Sequence, residues 1–287
     1  MVTERVINNT IQLSWNASKV TDYAQDDLCP VPRAALIGIP SVMSHPNSVR
    51  RRDLRKRYAT LNAGLAESDK IDFRFVFGRT NEALHKRALA EGRDVILTDR
   101  VEGLTNGKIF DWIRAARNLS YAAHPTREGV YCRKYLYIGK SDDDSVIHVP
   151  RLSKLLTHLW ENNEKGESLF VGRNWDRGGR HPALKHMTGM LYLTSLDVTE
   201  WLSVSKLPLV IRPKIGEDLQ FSRWIIQGNL SVTWIDRDEF HNREADGEPV
   251  SFAHRPIGED TIVVHHCKSH RHFFKCLLRM FGDTFRR

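Results

Sequence analysis

Apolar positions fall in short runs, and the period of those runs changes along the chain. Residues 34–39 form an apolar run stopped by Pro40, and Phe73, Phe75 and Phe77 alternate onto one face before Gly78. Both read as strands, the second half-buried. Residues 82–90 read as a helix and 94–97 as a short strand. Ile109, Trp112, Ile113 and Ala116 fall at helical spacing within 108–118. A strand over 135–138 ends at Gly139. The helix expected over 149–160 carries Leu152, Leu155, Leu156, Leu159 and Trp160 on one face, with Pro150 in its first turn. Short strands follow at 169–172, 189–194 and 262–264, with a helix over 218–226 between the last two. Phe273, Phe274, Leu277, Leu278 and Phe281 make an amphipathic basic tail helix, compatible with a membrane surface or a partner groove and read first as docked on the core. Strands separated by helices predict an α/β fold with a largely parallel sheet. Residues 1–33 are polar and patternless and read as an N-terminal arm or stem, leaving 34–287 as one domain. The run Trp-Asp-Arg-Gly-Gly-Arg at 175–180 reads as a loop.

Composition narrows the class. Of 287 residues, 41% are hydrophobic and 27% charged, the balance of a globular chain and not of a disordered one. No apolar run approaches the roughly 18 residues of a membrane span, and residues 1–20 hold no leader-like apolar core. The net charge of +8 is local: residues 50–57 and 268–287 each carry net +5, so the remainder is slightly acidic. That distribution suits local anion sites as well as it suits a nucleic-acid track. Four cysteines without a C-x-x-C spacing argue against zinc. Four N-x-[S/T] tripeptides, at Asn8, Asn16, Asn118 and Asn229, lean toward a secretory lumen. There at least one disulfide is expected, between Cys267 and Cys276 or another pair.

The strongest local feature is Lys140-Ser141-Asp142-Asp143-Asp144. Three adjacent carboxylates repel one another unless water or a cation screens them. These follow a strand, at the edge where open α/β sheets bind ligands. A hard divalent ion and an acidic surface turn are equal readings from spacing alone. Asp142-x-Asp144-x-Val146 also fits the first motif of haloacid-dehalogenase-like phosphatases. There the first Asp follows its strand directly, whereas here three residues intervene, and no G-D-x-x-x-D follows. No Walker A loop and no G-x-G-x-x-G occur.

The order of several weak motifs resembles the β-1,3-galactosyltransferase and N-acetylglucosaminyltransferase family, glycosyltransferase family 31. Residues 51–58, Arg-Arg-Asp-Leu-Arg-Lys-Arg-Tyr, resemble its R-x-A-I-R-x-T-W, and Phe75-Val76-Phe77-Gly78 its F-x-x-G. Asp94-Val95-Ile96-Leu97 through Asn106-Gly107-Lys108 resembles D-I-(I/L)…N-L-T-x-K. Residues 140–144 resemble K-x-D-D-D, and His181-Pro182 through Ser195 resembles Y-P-x-Y-x-x-G-x-G-Y-(x)₂-S. Glu217-Asp218-Leu219 resembles E-D-V, and Val264-His265 the late V-H. Tyr58 replaces the Trp, His181 the Tyr, and Met190-Leu191 the second Gly and its neighbour, which marks a divergent branch.

The resemblance implies a GT-A-like mixed sheet and a metal-dependent inverting hexosyltransferase. It would move a sugar from a UDP-sugar to a glycan hydroxyl, with a β-1,3 linkage. Asp144, with Asp142 and His265 (or its neighbour His266), would hold Mn²⁺ or Mg²⁺. Asp142 would also lie near the ribose, with Asp143 assisting. Arg51 and Arg55 would reach pyrophosphate or uridine oxygens, with Asp94 and Lys108 near the donor. Asp218 would be the general base and Glu217 its orienter. From residues alone, the basic run reads equally as a solvated helix face, and Glu217-Asp218 as an acidic helix start. The implied setting is the Golgi or endoplasmic reticulum lumen, with membrane association through an N-terminal anchor outside this chain. Two other readings are a nucleic-acid binder using 50–57 and the tail, and a catalytically inactive relative.

Overall fold

A computed structural model describes residues 26–103, 107–175, 185–207, 215–243 and 254–282, together with the backbone of 3–7, 10–14 and 23–24. Seven strands form the body of its main sheet. They are β1 (Arg33–Pro40), β2 (Ile71–Arg79), β3 (Val95–Val101), β4 (Tyr135–Ser141), β5 (Leu169–Asn174), β6 (Met187–Ser195) and β7 (Thr233–Asp236). Their order is β3-β2-β1-β4-β6-β5-β7, and the hairpin of Thr3–Ile7 and Thr10–Ser14 extends it beyond β3. All neighbours in the body are parallel except β6, which runs antiparallel to β4 and β5. This is the mixed, largely parallel α/β sheet that the alternating pattern predicts.

Period-2 alternation divides each central strand between two cores. Ala35, Ile37 and Ile39 of β1 and Phe75 and Phe77 of β2 face α1 (His45–Ala63), α2 (Glu82–Ala90), α4 (Val149–Glu161) and α7 (His270–Phe281). Leu36 and Val76 face α3 (Lys108–Leu119), α5 (Leu196–Val204) and α6 (Glu217–Gln227). Strand β2 is therefore covered on both sides and not half-buried, because parallel connections place helices on both faces. The basic tail helix docks through Phe273, Cys276, Leu277 and Met280. Part of the 1–33 segment is tied to the domain by the Cys29–Cys132 disulfide, and a second disulfide joins Cys267 to Cys276. None of the described helices is long and apolar enough to cross a membrane.

Strand β4 runs two residues past Gly139, because Lys140 and Ser141 continue to pair with Tyr192 and Leu191 of β6. Asp142 thus follows its strand directly. The spacing argument against the dehalogenase pattern falls away, and the missing G-D-x-x-x-D is what remains against it.

Close approach fixes one glycine. A Cβ on Gly38 would lie 2.3 Å from the Trp112 ring, whose Nε1 donates to the Gly139 carbonyl at 3.0 Å. The buried ring is anchored and cannot simply withdraw. Gly38→Ala should therefore destabilise the protein by about 1–3 kcal/mol through overpacking, read as a lower urea midpoint. A wild-type midpoint would show that the ring yields freely.

Candidate active site

Parallel pairing brings the carboxyl ends of β1, β2 and β4 to one edge of the sheet. Ser41 follows β1 there, and Asp142–Asp144 follow β4. The antiparallel strand β6 enters at the same edge through Gly189, and α6 begins nearby with Glu217 and Asp218. The short strand Val263–His265 pairs antiparallel with Val146–Ile147 in a second sheet, and the Cys267 amide donates to the Asp144 carbonyl at 3.0 Å. That pairing brings a residue 121 positions away in sequence onto the acidic turn.

Asp142, Asp144 and His265 converge, with one potential ligand atom from each lying within 4.8 Å of the others. His265 Nε2 is 3.2 Å from Asp142 Oδ2 and 3.0 Å from Asp144 Oδ1. Its Nδ1 lies 3.0 Å from Asn242 Oδ1, so Nδ1–H donates outward and Nε2 is the atom presented to the carboxylates. His266 has a left-handed backbone (φ 64°), and its ring lies beside that of His265. His265 is thus the one that faces the acids. Two carboxylates and an imidazole suit Mn²⁺, with Mg²⁺ less dependent on nitrogen.

The charges in this cluster are interlocked. Burial opposes the charge on His265, but hydrogen bonds and attraction from Asp142 and Asp144 more than offset it, pushing its pKa up to about 9. Burial also opposes ionisation of the acids. Lys140 and His265 nevertheless hold Asp142 well below the carboxylate range, and His265 lowers Asp144. In the metal-free protein the imidazolium occupies the cation's role. Ligation at Nε2 must displace that proton, so affinity should rise about tenfold per pH unit up to about pH 9. The raised pKa also gives the metal-free protein stability that is complete below about pH 6.5 and is lost as the pH climbs through about 9. The two statements describe one proton linkage, and through it the thermal shift caused by Mn²⁺ should grow between pH 6.5 and 9, measured anaerobically. A shift independent of pH would remove His265 from the ligand set.

Lys140 joins this cluster to the start of α6. It is fully buried. Its Nζ donates to Asp142 Oδ1 at 2.5 Å and to the Gly189 carbonyl at 3.1 Å, and it is ion-paired with Glu217. Burial by itself disfavours the ammonium, but Asp142 and Glu217 outweigh it and hold the lysine charged. Gly189 lies between the two halves of the site. Its amide donates to Asp218 Oδ2 at 3.1 Å, and a Cβ on it would sit 3.0 Å from both Asp142 Oδ2 and Lys140 Nζ. Asp218 Oδ1 accepts from the Leu219 amide at 2.8 Å, and His186 Nε2 lies 3.7 Å from Asp218 Oδ2. Glu217 is held by Lys140, whereas Asp218 is partly exposed and, among the described residues, is held by backbone amides and a distant imidazole. Of the two, Asp218 is the more open to an acceptor hydroxyl.

The other residues expected at the donor satisfy one another. Asp143 accepts from Ser41 Oγ and Asn47 Nδ2, each at 2.5 Å, and pairs with Arg50 at 3.2 Å. Arg51 is wholly buried, ion-paired with Glu91, and donates to Ser41 Oγ at 2.9 Å. Arg55 lies 2.7 Å from Asp94 and 3.1 Å from Glu91, over the Phe75 ring. Lys108 is buried, 2.5 Å from Glu102 and 3.1 Å from the Ser41 carbonyl. Arg51, Asp143 and Lys108 thus meet at Ser41 and shape the floor beneath the acidic turn. Arg55 and Asp94 stand one ion pair further out. The basic run 50–57 is largely turned inward, which leaves Arg52 and Lys56 as its exposed cations. Lys140, Gly189, Ser41 and Asn242 were not found by sequence reasoning as site residues. Two of them carry a signal in the sequence: Lys140 stands two residues before Asp142, and Gly189 matches the first Gly of the Y-P-x-Y-x-x-G pattern. Asn106, 176–180 and His181-Pro182 lie outside the described residues.

No protein-family model and no curated protein sequence matches the chain. Among solved structures it is similar to a glycosyltransferase involved in the glycosylation of the major capsid of PBCV-1, at TM-score 0.48 and 11% identity over 85% of this chain and 98% of that one. It is similar to mouse xyloside xylosyltransferase 1 in its apo form, at TM-score 0.45 and 16% identity over 84% and 99%. It is also similar to glucosyl-3-phosphoglycerate synthase from Mycobacterium tuberculosis, solved with Mg²⁺ and UDP, at TM-score 0.35 and 14% identity over 71% and 69%. Nucleotidyltransferases are among the similar structures as well.

Proposed function

We propose that this protein is a divalent-cation-dependent, inverting glycosyltransferase of GT-A-like architecture that moves a hexose from a UDP-sugar to a glycan hydroxyl. The observation that carries the reading is the convergence of Asp142, Asp144 and His265 at the carboxyl edge of the sheet, with Asp218 brought to the same edge through Gly189. A bound Mn²⁺ or Mg²⁺ would neutralise charge on the departing diphosphate. The chain's own groups supply the rest. Asp142, Asp144 and His265 hold the cation, and Asn242 fixes the imidazole that ligates it. Asp218 takes the acceptor hydroxyl proton as that oxygen attacks the donor's anomeric carbon from the opposite face. Lys140 and His265 hold Asp142 ionised, so that it does not compete for the proton, and Glu217, whose pKa burial raises, is tied to the Lys140 ammonium.

The β-1,3 linkage and kinship with glycosyltransferase family 31 rest on the ordered motifs. The Golgi or endoplasmic reticulum lumen is supported by the two disulfides, which leave no free cysteine. The deciding experiment is thermal unfolding with UDP, in Mn²⁺ and in EDTA, followed by a sugar-transfer assay. UDP should stabilise far more with Mn²⁺, by linkage of binding to folding, and turnover should release UDP and not pyrophosphate. Equal shifts in both conditions would count against the metal site. Metal-dependent binding without turnover would mark an inactive relative.

A further inference from the structure

We infer that Asn229 is an acceptor for an N-linked oligosaccharide, and that among the described tripeptides of this kind it alone is presented for modification. The inference rests on the lumenal setting and is independent of the sugar-transfer reading. Asn229-Leu230-Ser231 fits the acceptor pattern. Asn229 follows Gly228, the C-cap of α6, and adopts a left-handed backbone (φ 51°) that asparagine tolerates at a helix end. Its amide and that of Leu230 close the turn onto the carbonyls of Ile226 and Ile225. Asn229 and Ser231 are exposed, and half-buried Leu230 anchors the turn against the core under α6. The turn is thus fixed in its backbone and open in both groups that the modifying enzyme must engage.

Asn118-Leu119-Ser120 shows the opposite arrangement. Asn118 lies within α3, Ser120 is fully buried, and its hydroxyl is committed to the Ala116 carbonyl at 2.6 Å. Asn8 and Asn16 lie outside the described residues.

Position also favours Asn229. Glu217 and Asp218 begin α6, and Asn229 follows its other end, about 16 Å away at 1.5 Å per residue. A glycan there leaves the sheet edge open. It would stand instead beside Ile226, which is 49% exposed, and the turn where the Trp201 ring packs on Gly228. In the reaction the Asn229 carboxamide nitrogen bonds to C1 of a lipid-diphosphate-linked oligosaccharide. The C1–O bond to the diphosphate breaks and the amide proton leaves, with no change in oxidation state.

The test is the full chain behind a cleavable leader, expressed in a eukaryotic cell and analysed by mass spectrometry before and after peptide-N-glycosidase treatment. The peptide containing residues 229–231 should carry a glycan in protein whose four cysteines are oxidised. N229Q and S231A should each lose the mass of one glycan, whereas N118Q should lose none. S231A keeps the asparagine of the turn, so it remains informative if N229Q misfolds. An unmodified Asn229 in oxidised protein overturns the inference, and so does occupancy of Asn118 with Asn229 bare.

Discussion

Asp144→Asn is expected to remove Mn²⁺-dependent UDP binding and turnover together. The buried Asp144 carboxylate stands 3.0 Å from His265 Nε2 and is one of two acids that converge on that imidazole. The amide keeps the shape but removes the charge a hard cation requires. A cation's stabilisation of a leaving group is worth several kcal/mol, which at 1.36 kcal/mol per decade is about 10²–10⁴-fold in rate. Titration of UDP in Mn²⁺ and in EDTA should give the same weak affinity for this variant. An Asp144→Asn protein that keeps a large Mn²⁺-dependent gain would place the cation elsewhere.

Asp218→Asn should separate chemistry from binding. Its carboxylate is held by the Gly189 and Leu219 amides and not by the cluster around His265. Loss of a general base costs about 10²–10⁴-fold in rate, while metal-dependent UDP affinity should stay near that of the wild type. Transfer at an undiminished rate would show that Asp218 is not the base. Glu217 is a poor substitute, since it is ion-paired with fully buried Lys140. Loss of UDP binding in both variants would show that the two halves of the site do not divide the work. Gly189 and Lys140 connect Asp218 to Asp142, so the two variants are compared side by side.

The two arginines show how far local pattern reaches. Arg51 and Arg55 sit one turn apart on α1, as their spacing implies. Which anion they meet depends on Glu91 and Asp94, about 40 residues later and brought alongside by β2 and α2. A pyrophosphate and a carboxylate are the same demand to a guanidinium. Sequence could therefore assign charge complementarity but not the partner. Asp143 is a similar case. Three consecutive carboxylates look equivalent in the chain, yet the turn after β4 sends Asp142 and Asp144 to His265 and the middle one to Ser41, Asn47 and Arg50.

By itself the sequence determined the alternation of strand and helix, the placing of the acidic turn after β4, and the amphipathic faces that cover the sheet. Those features depend on residues within a few positions of one another, where hydrophobic period, Gly and Pro act directly on the backbone. Only the tertiary structure decided that β6 runs antiparallel and delivers Gly189 between Asp142 and Asp218. It alone showed that His265 and not His266 faces the acids, and that a buried lysine compensates Glu217. It also placed Cys29 against Cys132 across 103 residues. These are contacts between distant segments. Their geometry is set by strand order and by the packing of helices on both faces, and no local period along the chain encodes either.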